Sequence, residues 1–225
     1  MTEKRIPIVE KILNANDRLA DRNRGLLDAS RTLGLNVMAS PGAGKTSLIL
    51  RTLERLRGRL RLAVIEGDTA PVTLDSEKVL AAGVPAVQVN TGGGCHLDAA
   101  MVGDALAQLD LEKTDLVIVE NVGNLVCPAA FRLGTHGNVL VASVTEGDDK
   151  PYKYPKMYRN VDALVLNKID LLPHVDFDAE RFQKGVAILN EGLAVFPLSC
   201  RTGEGLDAWI DWALAAYSAI SARRI

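Results

Sequence analysis

Ala39-Ser40-Pro41-Gly42-Ala43-Gly44-Lys45-Thr46-Ser47 stands between an apolar run, Leu35 to Ala39, and a segment with helical spacing. Glycine at 42 and 44 admits the dihedrals and close backbone approach that let several N–H groups converge on phosphate oxygens, and a following helix adds its positive end. Lys45 then brings a point charge to the β- and γ-phosphates and Thr46 a hydroxyl for Mg²⁺, while Gly42, Ala43, Gly44 and Ser47 complete the cradle. The general pattern G-x-x-x-x-G-K-[ST] has Gly where this chain has Ala39, a mild departure. A glycine-rich turn before an ordinary helix does not account for strand, loop, Gly-Lys-Thr and helix arriving in this order.

Outward from the loop, short apolar runs alternate with helical patterns. The predicted strands are Leu35 to Ala39, Leu62 to Ile65, Ala86 to Val89, Leu116 to Val119, Val139 to Val144, Ala163 to Leu166 and Val195 to Leu198. Continuous apolar runs, rather than in/out alternation, fit strands of a parallel sheet covered on both faces. The expected fold is α/β: a three-layer phosphate-loop domain with a mostly parallel sheet flanked by helices, and ligands at the carboxyl ends of the strands. Ile6 to Ser30 has apolar residues at roughly helical spacing, with Gly25 as a candidate kink. The expected division is an N-terminal helical extension over 1–33 and the nucleotide domain over 34–225.

A chain of 225 residues with 48% hydrophobic content suits one well-buried α/β domain. Lys and Arg number 26 against 28 Asp and Glu, so no footprint for nucleic acid or an anionic membrane stands out. Three cysteines, no apolar leader after Met1 and no run of membrane-spanning length point to a reducing cytoplasm.

Asn167-Lys168-Ile169-Asp170 follows directly on an apolar strand. Asp170 can accept from guanine N1 and the exocyclic amine, a donor pair that adenine does not present, and an unpaired carboxylate makes the wrong base costly. Asn167 would brace the loops, and the stem of Lys168 would lie over the base plane. Farther on, Pro197 to Gly203 is similar to the last guanine-binding loop of GTPases; by that likeness Ser199 and Cys200 belong to the base site, with the Cys200 amide on the base oxygen.

After Leu116 to Val119 comes Glu120-Asn121-Val122-Gly123, where most small GTPases carry Asp-x-x-Gly. Glu120 takes the place of the Mg²⁺-directed Asp, and the Gly123 amide would meet the γ-phosphate. Asp68, in Glu66-Gly67-Asp68, and Asp75 are both candidates for Mg²⁺ or the attacking water, with helix capping as the alternative for Asp75. No glutamine or arginine finger can be assigned, so slow intrinsic turnover is expected.

Thr91-Gly92-Gly93-Gly94-Cys95-His96-Leu97-Asp98 sets a thiol beside an imidazole in a glycine-rich loop, and Cys127 follows the Glu120 to Gly123 element. Sulfur and imidazole suit Zn²⁺ or Ni²⁺ rather than Mg²⁺, and three ligands leave a tetrahedral site open. The spacing is no standard finger, so on residues alone two small buried cysteines are an equal reading. Cys200 falls to the base loop, and His136 and His174 read as loop residues without partners.

The motifs Ser40 to Thr46, Glu66-Gly67-Asp68, Gly94 to Asp98, Glu120 to Leu125, Asp149-Lys150-Pro151-x-Lys153-Tyr154-Pro155 and Asn167-Lys168-x-Asp170 together resemble those of the HypB nickel-incorporation GTPases. The resemblance implies binding of GTP and GDP, Mg²⁺-dependent hydrolysis coupled to nickel insertion into [NiFe] hydrogenase, and GTP-dependent homodimers. It also implies a Ni²⁺/Zn²⁺ site from Cys95, His96 and Cys127 and two partners, a HypA-type nickel metallochaperone and the hydrogenase large subunit; the Mg²⁺ site, read from the motifs themselves, is Thr46, Glu120 and Asp75. Many relatives carry an N-terminal cysteine motif or histidine-rich store; residues 1–33 contain neither Cys nor His, so none is expected in that stretch. A urease-type accessory GTPase is the near rival, but its metal motif reads Cys-Pro-His and this chain has Cys95-His96. A GTP-binding metal buffer or scaffold without turnover is the rival from another class.

Overall fold

The computed structural model describes residues 8–69, 79 and 83–222, with side chains from residue 12 onward. Seven strands form one sheet: β1 (Leu33–Ala39), β2 (Leu62–Asp68), β3 (Ala86–Asn90), β4 (Leu116–Glu120), β5 (Gly137–Ser143), β6 (Ala163–Asn167) and β7 (Ala194–Pro197). Their order is β3-β2-β4-β1-β5-β6-β7, and every neighbouring pair is parallel. All seven predicted strands are present. Central strand β1 is buried along its whole length, which is why it reads as a continuous apolar run.

Helices α1 (Ile8–Ala29), α2 (Lys45–Leu56), α3 (Ala99–Leu106), α4 (Lys150–Lys153), α5 (Pro155–Arg159), α6 (Ala179–Leu189) and α7 (Leu206–Ser221) cover the two faces. On one face Leu33, Leu35 and Val37 of β1 meet Leu48 and Leu53 of α2 and Trp209 of α7. On the other face the apolar side chains form two clusters. One centres on Leu140, Leu164, Met157 and Phe182, the other on Ile65, Val117, Leu97, Val102 and Leu27. Asn36, on that second face of β1, is 1% exposed and is the polar exception inside the predicted apolar run.

Helix α1 is continuous through Gly25; a helix held along its length by tertiary contacts tolerates the weak propensity of one glycine. Those contacts are specific. Asn23 Nδ2 donates to Ala99 O at 2.7 Å and Leu133 O at 3.0 Å; Asn16 Nδ2 donates to Arg132 O at 2.8 Å, and its Oδ1 accepts from Ala99 N–H at 2.9 Å. The Arg24 guanidinium donates to Gly134 O and Thr135 O. His136 is likewise not without partners, contrary to expectation: its Nδ1 accepts from Gly34 N–H, and its Nε2 lies 3.0 Å from Asp28 Oδ1. Nothing in the local sequence around His136 announces a partner more than a hundred positions away. Among the described residues no helix is long and apolar enough to cross a membrane.

Candidate functional site: a phosphate loop beside a thiol–imidazole cluster

The carboxyl end of β1 turns through Gly42 and Gly44, at φ of 78° and 104°, into the first turn of α2. Gly44 is required twice over: its φ is left-handed, and a Cβ there would fall 2.2 Å from Asn167 Nδ2. That close approach lets Asn167 donate to Ala43 O at 3.0 Å, while its Oδ1 accepts from Lys168 N–H at 2.8 Å and Cys200 N–H at 3.2 Å. Asn167 thus ties the phosphate loop, its own loop and the Pro197 to Gly203 loop together. Lys168, itself at φ 64°, spans to Gly42 O with its Nζ at 2.7 Å, so its aliphatic stem bridges the two loops.

Asp170 lines an adjoining cavity of about 470 Å³ with Gly44, Ser47 and the exposed His174. The Ser199 hydroxyl donates to its Oδ1 at 2.5 Å and Arg201 Nε to its Oδ2 at 2.9 Å. The Ser199 bond, reinforced by Arg201, holds the Asp170 carboxyl below the usual range, so it is an ionised acceptor at neutral pH. The Cys200 amide, expected on the base oxygen, donates here to Asn167 Oδ1, and burial pushes its thiol up to about 11. Arg201 and Arg51, which donates to Cys200 O at 2.8 Å, are site residues the sequence reading missed. Only the proximity of Arg201 to Cys200 offered a signal.

The larger cavity, about 760 Å³, lies over the phosphate loop and is walled by Lys45, Thr46, Asp68, Glu120, Gly123 and Cys95. Thr46 Oγ1 donates to Glu120 Oε1 at 2.8 Å. A methyl at Gly123 would sit 3.3 Å from Lys45 Nζ, which puts the ammonium beside the backbone expected to face the γ-phosphate. Asp68 closes the far side, its Oδ1 accepting from Thr69 N–H at 2.5 Å. Asp75 lies outside the described residues. The paired hydroxyl and buried carboxylate of Thr46 and Glu120 are hard oxygen donors beside a phosphate cradle, a set that fits Mg²⁺.

Cys95, His96 and Cys127 converge so that one ligand atom from each lies within 4.8 Å of the others. Cys95 Sγ is 3.6 Å from His96 Nδ1, and the imidazole stacks on Phe131 with centroids 4.0 Å apart. Asn124 Oδ1 accepts from Val126 N–H at 2.7 Å, turning the chain after Gly123 so that Cys127 faces Cys95. Burial lowers the His96 pKa against the opposing pull of Asp98, favouring the neutral ligand form. The hydrogen bond with Cys95 and burial raise that of Cys127, since two adjacent thiolates repel unless a cation lies between them.

Both segments of this cluster end on α1. Ala99 follows the Cys95–His96 loop and Leu133 follows the Cys127 loop, and Asn23 binds both carbonyls. Asn23→Ala removes both bonds, leaving Ala99 O with its helical partner alone, and should cost about 1–3 kcal/mol in a urea melt. It should also weaken binding of a soft divalent cation at the cluster while nucleotide affinity stays within about twofold, since losses of single outer supports fall on the site they orient. Equal losses at both sites would show that α1 only holds the whole fold together.

A parallel sheet whose central strand feeds this loop, with Asn-Lys-x-Asp at the end of β6 and Glu120 facing Thr46, defines a P-loop GTPase, here with a thiol–imidazole cluster on its phosphate side. The chain belongs to the CobW/HypB/UreG family, whose nucleotide-binding domain matches residues 34–197, and within it to the HypB proteins. It is 52% identical over 205 residues to hydrogenase maturation factor HypB of Azotobacter vinelandii, covering 91% of this chain and 67% of that one. Identity to HypB of Escherichia coli K12 is 47% over 213 residues, with coverage of 94% and 73%. The crystal structure of HypB from Archaeoglobus fulgidus superposes with a TM-score of 0.85 at 38% identity, covering 91% of this chain and all of that one. HypB from Helicobacter pylori, solved in complex with nickel, gives 0.86 at 33%, with coverage of 94% and 100%.

Proposed function

We propose that this chain is a GTP-hydrolysing nickel metallochaperone that assists nickel insertion into [NiFe] hydrogenase. The observation that carries the reading is the Cys95, His96 and Cys127 cluster within 4.8 Å, with Cys95 also forming a wall of the phosphate cavity. One side chain therefore borders both the cargo and the nucleotide. Thr46 and Glu120 would hold Mg²⁺, and Asp68 or Asp75 would serve the ion or the attacking water; when bound, Mg²⁺ would supply charge neutralisation at the β- and γ-phosphates. Lys45 and the Gly123 amide stabilise the same charge, and Asp170 selects guanine.

Nickel, or zinc in its place, is cargo: three soft ligands leave a coordination position for a donor or acceptor protein, which suits transfer. The relatives named hydrogenase maturation factors support a hydrogenase as destination, and the motif resemblance supports its large subunit as acceptor and a HypA-type metallochaperone as the protein exchanging metal, in the cytoplasm. GTP is read as drawing two copies together at the face bearing Cys127, where Val126 is 62% exposed. Residues 34–225 act as the GTPase domain and 1–33 as its N-terminal extension.

The test is phosphate release from GTP and from ATP with Mg²⁺. Slow, GTP-selective release, abolished in Lys45→Ala, is the expected result. Release from neither nucleotide would sink the enzymatic reading in favour of a GTP-binding metal buffer.

A further inference from the structure

Two residues inside the motifs have no part in the function proposed above. Asn121 follows Glu120 and is 1% exposed; Leu97 follows His96 and is fully buried. Asn121 Oδ1 accepts from Leu97 N–H and from Val122 N–H, each at 3.0 Å. Its Nδ2 donates to Asn36 Oδ1 at 3.1 Å, and Asn36 Nδ2 donates to Asn138 Oδ1 at 3.0 Å. These asparagines cross the sheet from β4 through β1 to β5 and separate the two apolar clusters of that face. An aliphatic residue at 36 would join either cluster without demanding amide partners, so packing alone does not explain the row.

Its geometry links the two halves of the site. Asn121 N–H donates to Val37 O at 3.0 Å, which anchors the chain on β1 just before the element that faces the γ-phosphate. Val122 is the first residue beyond that anchor, and one carboxamide oxygen holds both its N–H and that of Leu97. The Leu97 side chain fills the notch over Gly67, where a Cβ would meet Leu97 Cγ at 2.6 Å, so the residue after His96 is also seated against Glu66-Gly67-Asp68. Any shift of Val122 and Gly123 toward a γ-phosphate re-aims the shared oxygen. Leu97, and with it His96 and Cys95, then moves relative to Cys127.

We propose that Asn121 is the positioning residue through which the phosphate site sets the geometry of the soft-metal site, by the single carboxamide oxygen shared between Val122 and Leu97. This rests on the reading above that nucleotide and metal binding are coupled in one protein.

The experiment measures Ni²⁺ dissociation constants of the full chain by competition with a chromophoric chelator, once with GDP and Mg²⁺ and once with a non-hydrolysable GTP analogue and Mg²⁺. In the parent the two constants should differ by about 5- to 150-fold, the usual range for coupled sites. In Asn121→Ala the ratio should fall to about one, and Asn121→Asp, which keeps the oxygen acceptor, should restore most of it. Asn121→Ser, whose hydroxyl is too short to reach Leu97, stands in if the alanine variant does not fold, and should also give a ratio near one. A parent ratio retained in the Ala or Ser variant, even with both affinities reduced, overturns the role of Asn121 and leaves the metallochaperone reading intact. A parent ratio of one overturns the coupling itself, and this inference with it.

Discussion

Asp170→Asn is expected to lower GTP affinity by about three orders of magnitude and to create affinity for xanthosine triphosphate, with the phosphate loop untouched. The carboxylate offers two acceptors to guanine, which presents N1–H and the exocyclic amine side by side. Asparagine offers one acceptor and turns its own amide hydrogens toward the amine, so a donor faces a donor. Xanthine carries a carbonyl in place of that amine and accepts from the new amide. The full penalty for such a mismatch reaches about 10⁴ to 10⁵ in enclosed sites; Asp170 is half-buried, so a smaller figure applies. Because Ser199 already donates to Oδ1, that bond survives in the variant and the loop keeps its place. The Arg201 bond to Oδ2 is lost, because the amide nitrogen that replaces this oxygen only donates, but that by itself costs little at an exposed guanidinium. Equilibrium titration with fluorescent GTP and xanthosine triphosphate gives the answer. Unchanged GTP affinity, or no gain for xanthosine triphosphate, would mean that Asp170 does not read the base.

That expectation was available from Asn167 to Asp170 in the sequence, because the residues doing the recognition are consecutive and follow an apolar strand. The seven strands were legible for a related reason: a parallel sheet buried on both faces writes itself as uninterrupted Val, Leu, Ile and Ala. The phosphate loop reads as easily, since Gly42 and Gly44 are demanded by backbone geometry within a few residues. What the sequence does not display is partnership across long separations between ordinary polar residues. Asn16 and Asn23 look like the solvated side of an amphipathic helix, yet both are buried against the ends of the metal loops. Asn36 looks like a blemish in a strand and Asn121 like a spacer between Glu120 and Gly123. His136 sits in a loop whose partner is on α1. Each asparagine has a short side chain with two donors and an acceptor, so its role is set entirely by which backbone the fold brings near, and no local pattern records that.

The convergence of Cys95, His96 and Cys127 stood between ligation and simple burial on spacing alone. Their placement supports a sharper expectation: Cys95→Ser and Cys127→Ser should each weaken Ni²⁺ binding by more than the roughly 10- to 100-fold that loss of an outer supporting group costs. Serine keeps the size of cysteine but remains a protonated, hard oxygen at neutral pH, so it removes the thiolate and little else. Cys200→Ser supplies the contrast. That thiol is 8% exposed in the α2–α7 core and pushed up to about 11 by burial, so its loss should leave metal stoichiometry unchanged. The informative readout is GTP affinity in the same variants. Cys95 borders the phosphate cavity without belonging to the cradle of Gly42 to Thr46, so with no Ni²⁺ present to act through the coupling, nucleotide binding should stay within about threefold of the parent. Calorimetric titration with Ni²⁺, and separately with GTP and Mg²⁺, measures both. Full metal binding in Cys95→Ser and Cys127→Ser would return the two cysteines to the status of small buried side chains, and loss of GTP binding in step with metal would make the cluster a structural part of the phosphate site.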